Sequence, residues 1–528
     1  SAPSQSPAPS SASASSYSWY VLVVLVVVYI LNFIDRQVLS ILAVDIQQHL
    51  GLADADMGFL FGTAFGVFYA LFGIPLGRLA DSWSRVRLLA LGMALWSAMT
   101  AFSGLARNAG MLTLARMGVG VGEATASPSA YSLISDYFPK HQRATALAIY
   151  SSGLYIGGGL SLFIGAFVKD SWNSAYPTGG PWGLVGWQAA FMAVGLPGLL
   201  VALWVASLRE PVRGVMDGAP TAQSPTPFAD FVHDLLMIVP PLTLIGAARR
   251  GTAALAINIG AALALCAGGY AMVRLTGNVP QWSAMALGVY AVFSWASALR
   301  ATDPATYRLI WGTPAFLFTS LGYGLISLIS YGLAAWGAKY ASVVLHLPGQ
   351  QLAFYLGATS ALGGFIGVIV GGRLADHLRA RNPAGRLLVA MIGATAPVIP
   401  IWISLNTHSG PVFYAMNLVA GILLSTALGA SAATTQDLVL PRMRGTATAA
   451  FFLATTLVGL ALGPYMVGQI SDLAGTVVDG KLVGDLRIGL LSLIAIAPVS
   501  LVLLIMAYRT VPMAERTVAQ RAAAAERR

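Results

Sequence analysis

The chain has 528 residues, 57% apolar in side chain and only 9% charged, with 57 glycines and one cysteine, Cys266. A soluble domain carries roughly 25% charged residues, because a solvated surface needs them; 30 basic and 20 acidic side chains cannot coat a soluble chain of this size. An ordinary cytosolic enzyme, a disordered chain and a disulfide scaffold are excluded, and a single cysteine leaves no CxxC or Cys-rich metal site.

Residues 1–18, rich in Ser, Ala and Pro, read as a disordered tail and not as a signal peptide, because the start is not basic and the apolar run that follows is too long. A bilayer core of about 30 Å takes about 20 helical residues to cross. Apolar runs of that kind lie at 19–43, 58–79, 87–106, 110–134, 144–168, 187–207, 252–273, 281–299, 309–336, 351–372, 387–405, 411–436, 446–470 and 488–508, which gives fourteen predicted spans. They are continuous and lack two-residue alternation, so the fold class is an all-α polytopic membrane protein and not a β-barrel. Residues 228–245 predict an amphipathic helix lying on the cytoplasmic membrane surface, ended by Pro240-Pro241. The Ala-rich stretch 513–528 predicts a frayed basic helix on the inner leaflet.

Of the thirty basic residues, 22 fall in the even-numbered turns and the C-terminal tail, 6 in the odd-numbered turns, and two, Arg36 and Arg116, inside spans. The positive-inside rule then puts both termini in the cytoplasm, with the chain in an inner or plasma membrane. The net charge of +10 is orientation, and no nucleic-acid partner is implied.

The chain also repeats itself. Gly77-Arg78-Leu79-Ala80-Asp81 recurs as Gly372-Arg373-Leu374-Ala375-Asp376, Pro139-Lys140-His141-Gln142-Arg143-Ala144-Thr145-Ala146 is echoed by Pro441-Arg442-Met443-Arg444-Gly445-Thr446-Ala447, and Gly153…Gly157 by Gly459…Gly463. Three collinear matches describe a duplicated chain. Six spans form an N-terminal bundle over 19–207 and six a C-terminal bundle over 309–508; a linker with an inserted two-helix hairpin fills 208–308, and a basic tail follows over 509–528. A second reading makes the insert interfacial or re-entrant, because Gly268, Gly269 and Pro280 interrupt it.

Twelve spans in two related halves, with this motif after the second span of each, resemble the major facilitator superfamily. Asn32-Phe33-Ile34-Asp35-Arg36 in span one and Arg116…Gly120-Val121-Gly122-Glu123 in span four resemble its Spinster lipid transporters. The resemblance implies a major facilitator fold with a site near the midplane, alternating access, monomeric function, and a cytoplasmic gate at Gly77, Asp81 and Arg85, with Asp376 in the copy. On the residues alone, Asp81 and Asp376 have basic neighbours, among them Arg78 and Arg373, with which a breakable cluster can form; topology alone also accounts for the arginines.

Only Asp35, Arg36, Arg116 and Glu123 lie well inside spans. Each costs several kcal/mol if it faces lipid, so two acids and two bases in one half predict mutual neutralisation around a wet cavity. Helical rise puts Asp35 about 24 Å above the start of span one and Arg116 about 9 Å below the top of span four, at similar depth, with Glu123 about 10 Å deeper on the same face. A carboxyl whose surroundings alternate between dry and Arg-paired alternates in proton affinity, and a proton gradient can then drive the cycle. Glu123, with no base adjacent in sequence, is the expected proton acceptor, and Asp35, beside Arg36, the expected member of a state-dependent ion pair. A static pair that only orients helices is the competing reading. Arg36 and Arg116 also suit a phosphate head group, with Ser320, Tyr323 and Asn417 of the neutral C-terminal half as candidate cavity residues. For each of these, helix–helix hydrogen bonding is the simpler role.

The six histidines are scattered without metal-ligand spacing, and there is no P-loop, so neither metal, cofactor nor ATP-driven chemistry is expected. The leading expectation is a proton-coupled secondary transporter of lysophospholipid or sphingoid-phosphate type amphiphiles, in contact with membrane lipids. Multidrug efflux is the rival within transport; a scramblase, a channel or an intramembrane lipid enzyme are rivals of other classes, the last lacking a nucleophile–base set.

Overall fold

In a computed structural model of the chain, residues 14–214, 216, 225–478 and 481–527 are described. The N-terminal half contains α1 (Ser16–Leu50), α2 (Asp54–Ser82), α3 (Arg85–Ser103), α4 (Ala109–Glu123), α5 (Ala126–Tyr137), α6 (Lys140–Ala175) and α7 (Gly186–Ala206). The linker forms α8 (Pro227–Ile238) and α9 (Leu242–Arg249), and the insert forms α10 (Thr252–Thr276) and α11 (Val279–Thr302). After a short α12 (Pro304–Ile310), the C-terminal half contains α13 (Pro314–Val343), α14 (Gly349–Arg381), α15 (Gly385–Asn406), α16 (Gly410–Asp437), α17 (Pro441–Ala474) and α18 (Leu486–Arg516), with a tail helix α19 (Val518–Glu526). Among the described residues, thirteen helices are long and apolar enough to cross a membrane. They coincide with thirteen of the fourteen predicted spans, the hairpin helices α10 and α11 included.

The differences have local causes. Span four is not one helix: it breaks between Glu123 and Ala126, where Thr125 Oγ1 donates to Gly122 O at 2.8 Å and Pro128 follows without an N–H to give. Span nine starts later than predicted, at Pro314, after the separate α12. The expected single helix over 228–245 is two, α8 and α9, bent by 98° at Pro240-Pro241. Residues 16–18 of the expected disordered tail belong to the first helix, capped by Ser15 Oγ, which accepts from Ser18 N at 3.1 Å; residues 1–13 lie outside the described residues. The tail helix α19 turns Val518, Ala522 and Ala525 inward and docks on α12. A two-stranded ribbon, β1 (Thr476–Val478) with β2 (Lys481–Val483), joins α17 to α18.

Two helices carry π-helical turns, Phe59–Thr63 within α2 and Thr455–Ala461 within α17. These segments face each other across the boundary between the halves, with Thr63 Oγ1 donating to Ala461 O at 2.7 Å. Along the same boundary Gly58, Gly62 and Gly66 of α2 lie against Pro464, Leu460 and Thr456 of α17. The other flank is a contact of α6 with α14, where Gly159 and Gly357 meet backbone to backbone.

Candidate functional site

The four intramembrane charges form one centre between α1 and α4. Arg36 Nη2 donates to Glu123 Oε2 at 2.6 Å, and Arg36 Nε to the same oxygen at 3.1 Å. The Glu123 side chain is fully buried, whereas Arg36 keeps 12% of its surface. Glu123 ends α4, where the helix dipole disfavours a negative charge; the guanidinium supplies the compensation. Phe33, Phe65 and Tyr69 surround Arg36 with ring centroids at 4.8, 4.7 and 5.3 Å. Phe65 also stands 5.3 Å from the Arg116 guanidinium, so one ring is within cation–π reach of both like charges.

Asp35 and Arg36 do not act as a pair. Adjacent residues on a helix point about 100° apart, so Arg36 reaches Glu123 while Asp35 turns to α3 and α4. Its carboxyl faces Trp96 and Thr100, and Oδ1 is buried with no donor aligned for a well-formed hydrogen bond. Arg116 Nη1 donates to the Asp35 backbone oxygen at 3.3 Å, while Arg116 Nε and Nη2 are buried without a protein acceptor. Asn32, read in the sequence only as part of the span-one motif, faces Glu123 one turn before Arg36, and Tyr331 of α13, which the sequence did not single out, lies within electrostatic reach of Arg36 from the other half.

The neutral candidates of the C-terminal half do not converge. Tyr323 is buried and stacks on Phe451 of α17 at 5.2 Å. Ser320, one turn earlier on α13, is buried with its Oγ unpartnered. Asn417 on α16 instead bonds α14, its Nδ2 donating to Thr359 Oγ1 at 3.0 Å and Ser360 Oγ at 3.2 Å.

At the even-numbered turns, Arg85 is the centre of the N-terminal cluster. It is fully buried, pairs with Asp136 and with Glu210 Oε1 at 2.8 Å, and donates to Ser132 Oγ at 2.9 Å and Pro211 O at 2.9 Å. Arg78 pairs with Asp234 of α8 at 2.8 Å and not with a helix of the bundle. Asp81 is exposed beside Arg213, whose Nη2 donates to Ala80 O at 2.5 Å. Gly77 has open space, the nearest atom to an added Cβ being on Pro128 at 3.8 Å. In the copy, Arg386 pairs with Asp437 at 2.5 Å and Arg379 with Glu515. Arg373 is exposed, and the Asp376 side chain, 76% exposed, lies 3.4 Å from Arg386. Sequence reasoning missed Asp136, Glu210, Arg386, Asp437 and Glu515. A signal existed: Arg386 and Asp437 each follow Arg85 and Asp136 by 301 residues, the period of the duplication.

The odd-numbered turns are where the halves are tied. Lys339 of α13 pairs with Asp54 and donates to Gln47 Oε1 at 2.6 Å. Ser471 Oγ donates to Asp54 Oδ2 at 2.7 Å, and Asp472 accepts from the N–H groups of Asp54 at 3.1 Å and Ala55 at 2.7 Å, the start of α2. Ser40 Oγ donates to Ala335 O at 2.8 Å. Among the described residues, hydrogen bonds between the halves lie at this end or at mid-depth, and the ion pairs at the even-numbered turns stay within one half or its attached segments.

Comparison with known proteins agrees with this architecture. Residues 25–464 match the sequence profile of the Major Facilitator Superfamily. The chain is 26% identical over 444 residues to an MFS-type efflux pump of Mycolicibacterium smegmatis, covering 84% of this chain and 82% of that one. It is 27% identical over 461 residues to human protein spinster homolog 1, covering 84% and 71%. A bacterial homolog of the human lysosomal transporter Spinster, solved in an inward-facing and unoccupied conformation, superposes with a TM-score of 0.67 at 26% identity, over 96% of this chain and 99% of that one. The chain belongs to the Major Facilitator Superfamily: it is a multi-pass membrane transporter related to the Spinster proteins, and not an enzyme.

Proposed function

We propose that the chain is a proton-coupled secondary transporter of amphiphiles carrying an anionic phosphate head, of lysophospholipid or sphingoid-phosphate type. The observation that carries this reading is the Arg36–Glu123 pair beside Arg116, whose two free donors form a fork suited to phosphate. In the paired state Glu123 neutralises Arg36. A proton on Glu123 releases that guanidinium, and an anionic head can then take Glu123's place. Proton and amphiphile binding therefore reinforce each other, and by linkage each raises the affinity for the other by the same factor. The apolar tail rests against the C-terminal half beside Ser320 and Tyr323 of α13, with Asn417 held apart against α14.

Twenty-two basic residues at the even-numbered turns and tail support a cytoplasmic location for that face and for both termini. With the odd-numbered turns tied by Lys339 and Asp54, the structure is then the state that faces the cytoplasm. Gly77, Arg78, Asp81 and Arg85, with Arg373 and Asp376, serve the opposing gate, which forms on rocking.

The test is uptake of a fluorescent lysophospholipid into proteoliposomes under an imposed pH gradient. Uptake is expected to be saturable and gradient-dependent, and to fall at least tenfold in both Glu123→Gln and Asp35→Asn. Gradient-driven uptake that survives in both variants sinks the coupling, and unsaturable flux without proton dependence indicates a scramblase or channel. The kinship to an efflux pump supports a second reading, proton-driven multidrug efflux; it predicts that apolar dyes without phosphate compete with the lysophospholipid, and that Arg116→Gln leaves dye transport intact.

A further inference from the structure

The duplication gives the molecule two lateral seams related by pseudo-symmetry, α2 with α17 on one flank and α6 with α14 on the other. They are not equally open to the bilayer. The apolar windows of α2 and α17 are each 72% buried, those of α6 and α14 only 28% and 33%. The inserted hairpin covers part of the more buried flank.

Helix α11 lies along the α2/α17 seam and touches both halves. At mid-depth Gly288 fits between them: a Cβ added there comes within 3.1 Å of Leu457 of α17 and 3.3 Å of Val67 of α2. Ala291 and Val292 of α11, with Ile238 of α8, complete an apolar contact with no room for a water molecule. Toward the odd-numbered turns, Trp282 meets Tyr465 of α17 edge-on at 5.9 Å, and Asn278 Nδ2 reaches Asp56 Oδ1 of α2 at 3.5 Å. Toward the even-numbered turns, α8 is held to α2 by Arg78 and Asp234, and Thr243 of α9 donates to Tyr290 of α11 at 3.3 Å. The partner helix α10 has only 6% of its window buried and takes the lipid contact instead.

Among the described residues no further helix lies over the opposite seam. There Tyr155 of α6 rests on Gly364 and stands 6.4 Å from the Phe365 ring, with Ile156, Phe163 and Leu362 exposed around them.

We infer that α11 is a seal over the α2/α17 seam, so that the chain exchanges amphiphiles with the bilayer on the α6/α14 flank alone. The seal itself follows from side-chain contacts; its bearing on transport rests on the amphiphile reading above. The experiment is photolabelling of the full chain in nanodiscs made with a phospholipid bearing a diazirine in its acyl chain, with adducts located by peptide mass spectrometry. Adducts are expected at Ile156, Phe163 and Leu362, and at least tenfold fewer at Val67, Leu71 and Leu457. In Gly288→Trp, which forces α11 away, adducts at Val67 and Leu457 rise to the level of the opposite flank. Equal labelling of both flanks in the unaltered chain overturns the proposal, whether or not the variant folds. The readout is lipid contact and not uptake, so a failed uptake assay with an intact labelling contrast refutes the amphiphile reading and leaves the seal standing.

Discussion

Arg36 and Glu123 are 87 residues apart in sequence and 2.6 Å apart in space, while Asp35, the chain neighbour of Arg36, faces a different pair of helices. The pair is buried, so its members are worth more together than either is alone. Removing one partner of such a pair costs about 3–5 kcal/mol, whereas replacing both with apolar residues of similar volume is often neutral. Glu123→Ala and Arg36→Ala are therefore expected to lower the thermal unfolding temperature in detergent, and Arg36→Met combined with Glu123→Leu to restore it. All three abolish gradient-driven uptake. Full uptake in the stable double variant marks the pair as purely structural.

Competition for Arg36 sets the sign of the pH response. If a head group and the Glu123 carboxylate contend for one guanidinium, affinity for an anionic lysophospholipid rises as pH falls through the titration of Glu123. Glu123→Gln removes the competitor, so its affinity is high and flat with pH. Tryptophan quenching or calorimetric titration between pH 5 and 8 measures both curves. An affinity that falls on acidification contradicts the scheme.

The two even-turn clusters are expected to differ in strength although they descend from one duplication. Arg85 is fully buried among Asp136, Glu210 and Ser132, while Arg386 and Asp437 keep 18% and 32% of their side-chain surface. Arg85→Ala strands two carboxylates and should cost about 3–5 kcal/mol. Lysine at that position recovers little, because it lacks the planar fork. Arg386→Ala breaks a screened pair and should cost about 1 kcal/mol or less. Paired thermal unfolding curves test the ratio.

Lys339 and Asp54 hold the odd-numbered turns together. Asp54→Asn keeps an oxygen that accepts from Gln47 Nε2 and an amide that can donate to Ser471 Oγ, but removes the charge. A hydrogen bond to a charged group is worth about 1.5–3 kcal/mol, enough to shift a two-state equilibrium by one to two orders of magnitude. Spin labels on Gln48 and Ser342 should report a second, longer distance in that variant, and an unchanged distribution shows that the latch lies elsewhere.

What could be read from the sequence follows the range of the forces involved. Hydropathy over twenty residues is a local quantity, so the spans stand out, and so does the copy of Gly77–Asp81 at Gly372–Asp376. Local turn chemistry was harder: the break after Glu123 depends on how Thr125 folds back on Gly122, and the 98° bend between α8 and α9 on the support of α2 and α11. Pairings are not local at all. Adjacency suggested Asp35 with Arg36, but the direction in which each side chain leaves its helix decides, and that favours Glu123. Lys339 counted only as a loop charge until α13 and α2 were placed side by side.

The facing π-turns of α2 and α17 change the shape of the contact between the halves. In an ordinary helix four residues overshoot a full turn by about 40°, so a stripe of every fourth residue winds off its partner. A wider turn takes up that overshoot. Gly58, Gly62 and Gly66 thus stay in line opposite Pro464, Leu460 and Thr456. The two halves bear on each other there along a straight track on which Gly58 and Gly62 meet bare backbone and Gly66 only the side chains of Thr456 and Leu460, so little bulk has to slide past when they part.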